Sequence, residues 1–161
     1  MQAGDMAKVA FEIVHRFDAS AQVVWDALID WAGHADWVPM TRVAVDPGDP
    51  TAVGATFTAW TGPGPLALED RMRVTRLDWD PATTTGTCAV EKLGPVLKGT
   101  AGFTVAPSGS GAELRWVEDV TVPVVPQFTA PVVGKLGAAG FSFGMRRLAK
   151  SLAARPRAAA A

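Results

Sequence analysis

Three polar side chains stand where strand alternation calls for apolar ones. From Leu66 to Val74 one face of a predicted strand carries Leu66, Leu68, Met72 and Val74, and Asp70 falls in the same row. From Leu114 to Val122 the row is Leu114, Trp116, Val120 and Val122, and Glu118 intrudes. From Val9 to Phe17 it is Val9, Phe11, Ile13 and Phe17, interrupted by His15. Burying such a group without a partner costs about 2–7 kcal/mol, so each is a candidate for chemistry. A carboxylate or imidazole on an apolar face can polarise a ligand carbonyl or hydroxyl, or move a proton during enolisation and dehydration. Competing structural readings stand beside each one. The carboxylates could occupy a rim, pair with Arg71, Arg73 or Arg115, or be turned outward by a β-bulge. His15 could be a hydrogen-bonded structural imidazole near a strand end.

Other chemistries lack their residues. The sequence holds no Ser/His/Asp arrangement and no glycine-rich phosphate loop. Two widely separated histidines and the lone Cys88 do not make a metal site, so neither a metal nor a cofactor is expected. His34 reads as a solvent-exposed capping or loop residue, and Cys88 as a small buried hydrophobe. Six tryptophans and no tyrosine supply large apolar walls whose only polar handle is the indole N–H. Trp37, Met40, Trp60, Met72, Trp116, Phe141 and Met145 are the expected ligand-facing apolar residues, whereas Trp25 and Trp31 are expected to pack the first helix onto the sheet edge.

The elements that position these residues follow from periodicity. A strand over Val9–Phe17 leads into a helix capped by Asp18 or Ser20, on which Val24, Leu28 and Trp31 share a face. A second short turn over His34–Val38 stops at Pro39. Six strands are then predicted, over Thr41–Val45, Ala55–Trp60, Leu66–Leu77, Thr83–Glu91, Val96–Val105 and Glu113–Val122. Gly, Pro and Asp punctuate them, as in an antiparallel meander. A final helix runs from Pro131 to Ala154, with Ala138, Phe141, Met145, Leu148 and Leu152 in one stripe. Gly134, Gly137, Gly140 and Gly144 flank that stripe. Each costs a helix about 1 kcal/mol relative to alanine, which implies close packing over the sheet or space beneath the helix. Leu136 and Phe143 fall on the basic face and are expected to be exposed.

Composition sets the outer bounds. The chain has 161 residues, 48% apolar and 19% charged, with 16 glycines and 12 prolines. This describes one soluble, turn-rich domain over residues 8–154 with disordered tails at 1–7 and 155–161. A net charge of −1 gives no broad attraction to nucleic acid or to an anionic membrane. The single cysteine excludes an internal disulfide and fits a reducing compartment. Met1–Lys8 has no apolar signal region, and Ala130–Met145 contains Lys135 and falls short of the roughly 20 residues a membrane span needs. A cytoplasmic location without stable membrane insertion is therefore expected. Assembly into a homodimer is left open.

The element order, together with Asp18-Ala19-Ser20-Ala21-Gln22-Val23-Val24-Trp25-Asp26-Ala27-Leu28-Ile29-Asp30-Trp31, His34-Ala35-Asp36-Trp37-Val38-Pro39 and Val74-Thr75-Arg76-Leu77-Asp78-Trp79-Asp80-Pro81, resembles the polyketide cyclase/dehydrase and lipid-transport family of the START-like (SRPBCC, helix-grip) superfamily. The resemblance implies an α+β helix-grip fold. Its curved seven-stranded antiparallel sheet wraps around a long C-terminal helix, with two short helices after the first strand and a cavity in between. It further implies binding of a hydrophobic or amphipathic small molecule, such as a lipid or polyketide. Two alternatives stay open. One is a cofactor-independent polyketide cyclase/aromatase-type enzyme using pocket acid/base groups. The other is a toxin-like or regulatory interaction protein with a vestigial, filled cavity.

Overall fold

The computed structural model describes residues 6–123 and 125–155. Seven strands form one antiparallel sheet: β1 (Ala7–Phe17), β2 (Thr41–Val45), β3 (Thr56–Thr61), β4 (Leu68–Asp80), β5 (Thr85–Leu93), β6 (Lys98–Ser108) and β7 (Gly111–Val122). Their order across the sheet is β1-β7-β6-β5-β4-β3-β2. Only β1 and β7 are neighbours in the sheet without being consecutive strands. The connection from β1 to β2 carries helices α1 (Ala21–Ile29) and α2 (His34–Trp37), and the chain closes with α3 (Ala130–Ala154). This is the helix-grip arrangement expected from the sequence, with strand ends displaced by a few residues. Of the expected tails, residues 1–5 and 156–161 lie outside the described residues, whereas Ala7 is already a buried member of β1.

Ser20 supplies the cap of α1, its Oγ accepting from the Val23 N–H at 3.3 Å. The helix then turns Val24, Trp25 and Leu28 onto the sheet. The Trp25 indole stacks on Trp79 and meets Phe103 edge-on. Gly86 in β5 makes room for it, because a Cβ there would lie 2.2 Å from the Trp25 ring. In β4 the pairing with β5 slips between Val74 and Arg76. That bulge changes which parity faces inward, from Asp70, Met72 and Val74 before it to Leu77 and Trp79 after it.

Helix α3 has two unlike halves. Its C-terminal half buries Met145, Leu148 and Leu152 in the main core. Its N-terminal half is poor in core side chains, and Gly137, Gly140 and Gly144 face the space between helix and sheet. A Cβ at Gly144 would lie 3.3 Å from the Trp37 ring and one at Gly137 would lie 3.0 Å from Phe11, whereas one at Gly140 would meet nothing within 4 Å. Close packing explains two of these glycines, and open space surrounds the third.

Glycine 86 and glycine 140 therefore predict opposite outcomes. Gly86→Ala, forced against a buried indole, is expected to lose about 1–3 kcal/mol. Gly140→Ala gains helix propensity without a clash, by up to about 1 kcal/mol. Urea denaturation midpoints of the two variants check this pair.

Candidate functional site: a buried charge cluster in an apolar cavity

The concave face of the sheet and the N-terminal half of α3 enclose a cavity of about 520 Å³. Its walls are apolar, with aromatic side chains that include Phe11 from β1, Phe57 from β3, Phe103 from β6, Trp116 from β7 and Phe141 from α3. Phe103 stacks on Trp116 at 5.2 Å between ring centres, and Trp116 meets Phe141 at 5.1 Å. At the mouth Met40, Leu68 and Leu136 are exposed apolar side chains.

One charged cluster breaks this surface. Lys92 of β5 and Glu118 of β7 are the buried charged residues among those described. The Lys92 ammonium donates to Asp70 Oδ2 at 2.5 Å and lies 3.6 Å from Glu118 Oε2. It also donates to the Met72 sulfur at 3.7 Å. Glu118 Oε1 accepts from the Trp116 indole N–H at 3.0 Å. Sheet register explains how the three charges meet. Lys92 lies directly opposite Met72, which places Asp70 on the diagonal, within reach of a long side chain. Toward Glu118 the lysine must reach past β6, whose inward positions there are Gly99 and Ala101. Two strand spacings amount to about 10 Å, and a bulky residue on β6 would block that reach.

The electrostatics follow from burial. Desolvation alone would lower the Lys92 pKa, but the charges of Glu118 and Asp70 outweigh it and hold the ammonium above its ordinary value. Glu118 is pushed up by burial and by Asp70, against the opposing pull of Lys92 and the Trp116 hydrogen bond. Among the described residues, Asp70 Oδ1 and the Trp37 indole Nε1 are buried polar atoms without a partner, and both residues line the cavity.

Of the ten residues singled out in the sequence, Asp70, Glu118, Trp37, Met40, Met72, Trp116 and Phe141 line this cavity, and three do not. His15 lies on the inner face of β1 but outside the cavity, edge-on to Phe17 at 4.8 Å. Burial and the charge of Arg146 lower its pKa. Trp60 belongs to the opposite face of β3, where the Arg42 guanidinium sits 4.1 Å from its ring centre. Met145 is consumed by the core. The arginines proposed as carboxylate partners are occupied elsewhere: Arg71 with Asp46, Arg73 with Glu91 and Arg115 with Glu12.

One histidine placement differs from expectation. His34 is not a solvent-exposed loop residue. Its Nε2–H donates to the Leu28 carbonyl at 2.7 Å, and the ring lies against Trp31 and Trp37 at the cavity wall. Burial lowers its pKa to about 4, partly offset by that hydrogen bond and by Asp30. Trp31 also reaches the cavity while stacking on Phe57 at 4.5 Å. Cys88 is buried, and desolvation raises its thiol pKa to about 12. Lys92, the cation that joins the carboxylates, was missed. Its signal was nevertheless present, since Cys88, Val90 and Lys92 alternate, and the predicted strand stopped one residue short, at Glu91.

Fold and cavity define a START-like, helix-grip protein. Residues 6–153 match the model of the family described as polyketide cyclase/dehydrase and lipid transport, and the chain belongs to that family. Solved structures share the architecture at low identity. The Zhui aromatase/cyclase from Streptomyces sp. R1128 is 17% identical with a TM-score of 0.67, covering 94% of this chain and 98% of its own. A START superfamily protein from Mycobacterium smegmatis is 16% identical with a TM-score of 0.67, covering 89% and 97%. A STAR-related lipid transfer protein from Xanthomonas axonopodis is 16% identical with a TM-score of 0.64, covering 89% and 85%. No curated protein matches the sequence significantly. Among the described residues no helix is long and apolar enough to cross a membrane.

Two stability predictions come from this geometry. Lys92→Met strands two carboxylates beside apolar walls and is expected to cost about 3–5 kcal/mol. The triple variant Asp70→Asn/Lys92→Met/Glu118→Gln, which removes all three charges, should recover most of that loss in chemical denaturation. For His34, the unfolded chain takes up a proton near pH 6.5 that the folded chain refuses until about 4. The contribution of His34 is thus complete above pH 6.5 and is lost as pH falls toward 4, by up to about 3 kcal/mol. Denaturation at pH 7 and pH 4.5 should show a smaller acid loss in His34→Gln than in the wild-type protein.

Proposed function

We propose that this protein binds a hydrophobic or amphipathic small molecule in the cavity between sheet and α3. The observation that carries the reading is the cavity itself, about 520 Å³ enclosed by aromatic and aliphatic side chains with a few convergent polar groups. That volume is at odds with the filled interior expected of a vestigial cavity. Family membership supports the same reading, since its description names both polyketide chemistry and lipid transport.

An enzymatic reading of the aromatase/cyclase type, the activity named for the Streptomyces neighbour, is favoured by one specific observation. Asp70, Lys92 and Glu118 form a buried set of proton donors and acceptors facing an apolar chamber. Such a set can protonate a ligand carbonyl oxygen and accept a proton from the adjacent carbon, giving an enol. Carriage needs only shape and dryness, whereas catalysis also needs these groups in working protonation states. Loss of turnover of a poly-β-ketone substrate in Glu118→Gln and Asp70→Asn, with binding retained, separates the two.

The binding reading is tested with the neutral dye N-phenyl-1-naphthylamine. Saturable binding of one equivalent is expected, weakened at least tenfold in Gly140→Phe, which places a ring at an exposed position of the cavity lining. A dye that fails to saturate, or that binds the variant as well as the wild type, contradicts the reading. Native mass spectrometry of the freshly purified protein complements it by weighing any co-purifying ligand.

A further inference from the structure

The arrangement of charge inside the cavity points to the chemistry of the ligand's head, given the binding reading above. Among the described residues, five titratable ones line the cavity: His34 from α2, Asp70 from β4, Cys88 and Lys92 from β5 and Glu118 from β7. Strands β1, β2, β3 and β6 and helix α3 bring none. His34, with a pKa lowered to about 4, and Cys88, raised to about 12, are both neutral at pH 7. The charge of the chamber is therefore set by two carboxyl groups and one ammonium.

That ammonium is already engaged. A lysine has three N–H donors, and three groups of the chain surround Nζ: Asp70 Oδ2 at 2.5 Å, Glu118 Oε2 at 3.6 Å and Met72 Sδ at 3.7 Å. The acceptors are in surplus. Asp70 lines the cavity, and its Oδ1 is buried with no donor reaching it among the described residues, which is costly for a carboxylate oxygen.

We infer that the cavity takes an apolar ligand carrying a protonated amine, seated against the Asp70 carboxylate, and that it discriminates against ligands carrying a carboxylate. The amine balances the second carboxyl group, which Lys92 alone leaves in surplus. A carboxylate head would face Asp70 and Glu118 while finding Lys92 occupied. An alcohol can donate to the Asp70 carboxylate without supplying charge, so it falls between the two. The same cation favours the ionised form of Glu118, opposing the desolvation that raises its pKa.

The test uses three probes with one apolar body: 2-(2-naphthyl)ethylamine, 2-(2-naphthyl)ethanol and 2-naphthylacetic acid, titrated into the full chain at pH 7 by calorimetry, beside N-phenyl-1-naphthylamine. The amine is expected to bind at least tenfold more tightly than the acid, with the alcohol between. Asp70→Asn should bring amine and acid to within about threefold of each other while the neutral dye still binds. An acid that binds the wild-type protein as tightly as the amine overturns the inference, and this comparison does not depend on any variant folding. An amine-to-acid ratio unchanged in a folded Asp70→Asn overturns the assignment to Asp70. If the dye binds and the three probes do not differ, only this inference falls. If neither dye nor probes bind, the cavity reading falls with it.

Discussion

A lysine ammonium held between two carboxyl groups, inside a wall of aromatic rings, is the interaction around which this molecule is arranged. Taking an ion out of water costs several kcal/mol even after relaxation, and only close partners of opposite charge offset it. Lys92 meets that condition through Asp70 on one side and Glu118 on the other. The condition reaches into the sheet. Residues 99 and 101 are small where the lysine passes β6, and Trp116 turns its indole N–H toward Glu118. A chamber that held the cluster in high dielectric would make it an ordinary surface network of little consequence. Enclosed here, it is the strongest polar feature of the interior.

The second constraint is the division of α3. A helix that packed its full length onto the sheet would fill the concave face and leave no chamber. Here Met145, Leu148 and Leu152 anchor one end in the core. The other end substitutes glycines for side chains, and Gly140 looks onto open space. The glycines reduce helix propensity by about 1 kcal/mol each, a cost accepted where the backbone must approach Phe11 and Trp37 or where volume is left free. Anchor and chamber belong to the same helix, so the stability of one end holds the shape of the other.

Much of this was legible in the sequence, for reasons that differ from residue to residue. Strand alternation placed Asp70 and Glu118 among inward-facing apolar residues, because a period of two assigns faces without knowledge of partners. The same period shows Lys92 beside Val90 and Cys88, but a predicted strand ending at Glu91 left it out. Strand ends are set by pairing with neighbours, which one segment does not display. His15 obeys the alternation and still lies beside the cavity rather than within it, since inward orientation does not say how far along the sheet the chamber extends. His34 was misjudged for a related reason. Local pattern marks a turn there, and only the fold back against Trp31 and Trp37 encloses it. The glycines of α3 signalled both of their roles in advance, and the neighbours opposite each one decide which applies.

The account stands on Lys92 being a persistent ammonium in a buried cluster, and nitrogen-detected NMR of a lysine-labelled sample, assigned by Lys92→Arg, measures that directly. The expected result is a Lys92 side-chain resonance that remains that of an ammonium up to and beyond the ordinary lysine value of 10.5, with N–H protons slow to exchange at neutral pH. A resonance that titrates below that value, or exchanges as fast as the surface lysines, would mean that desolvation rather than the two carboxyl groups governs the site, and would contradict the account.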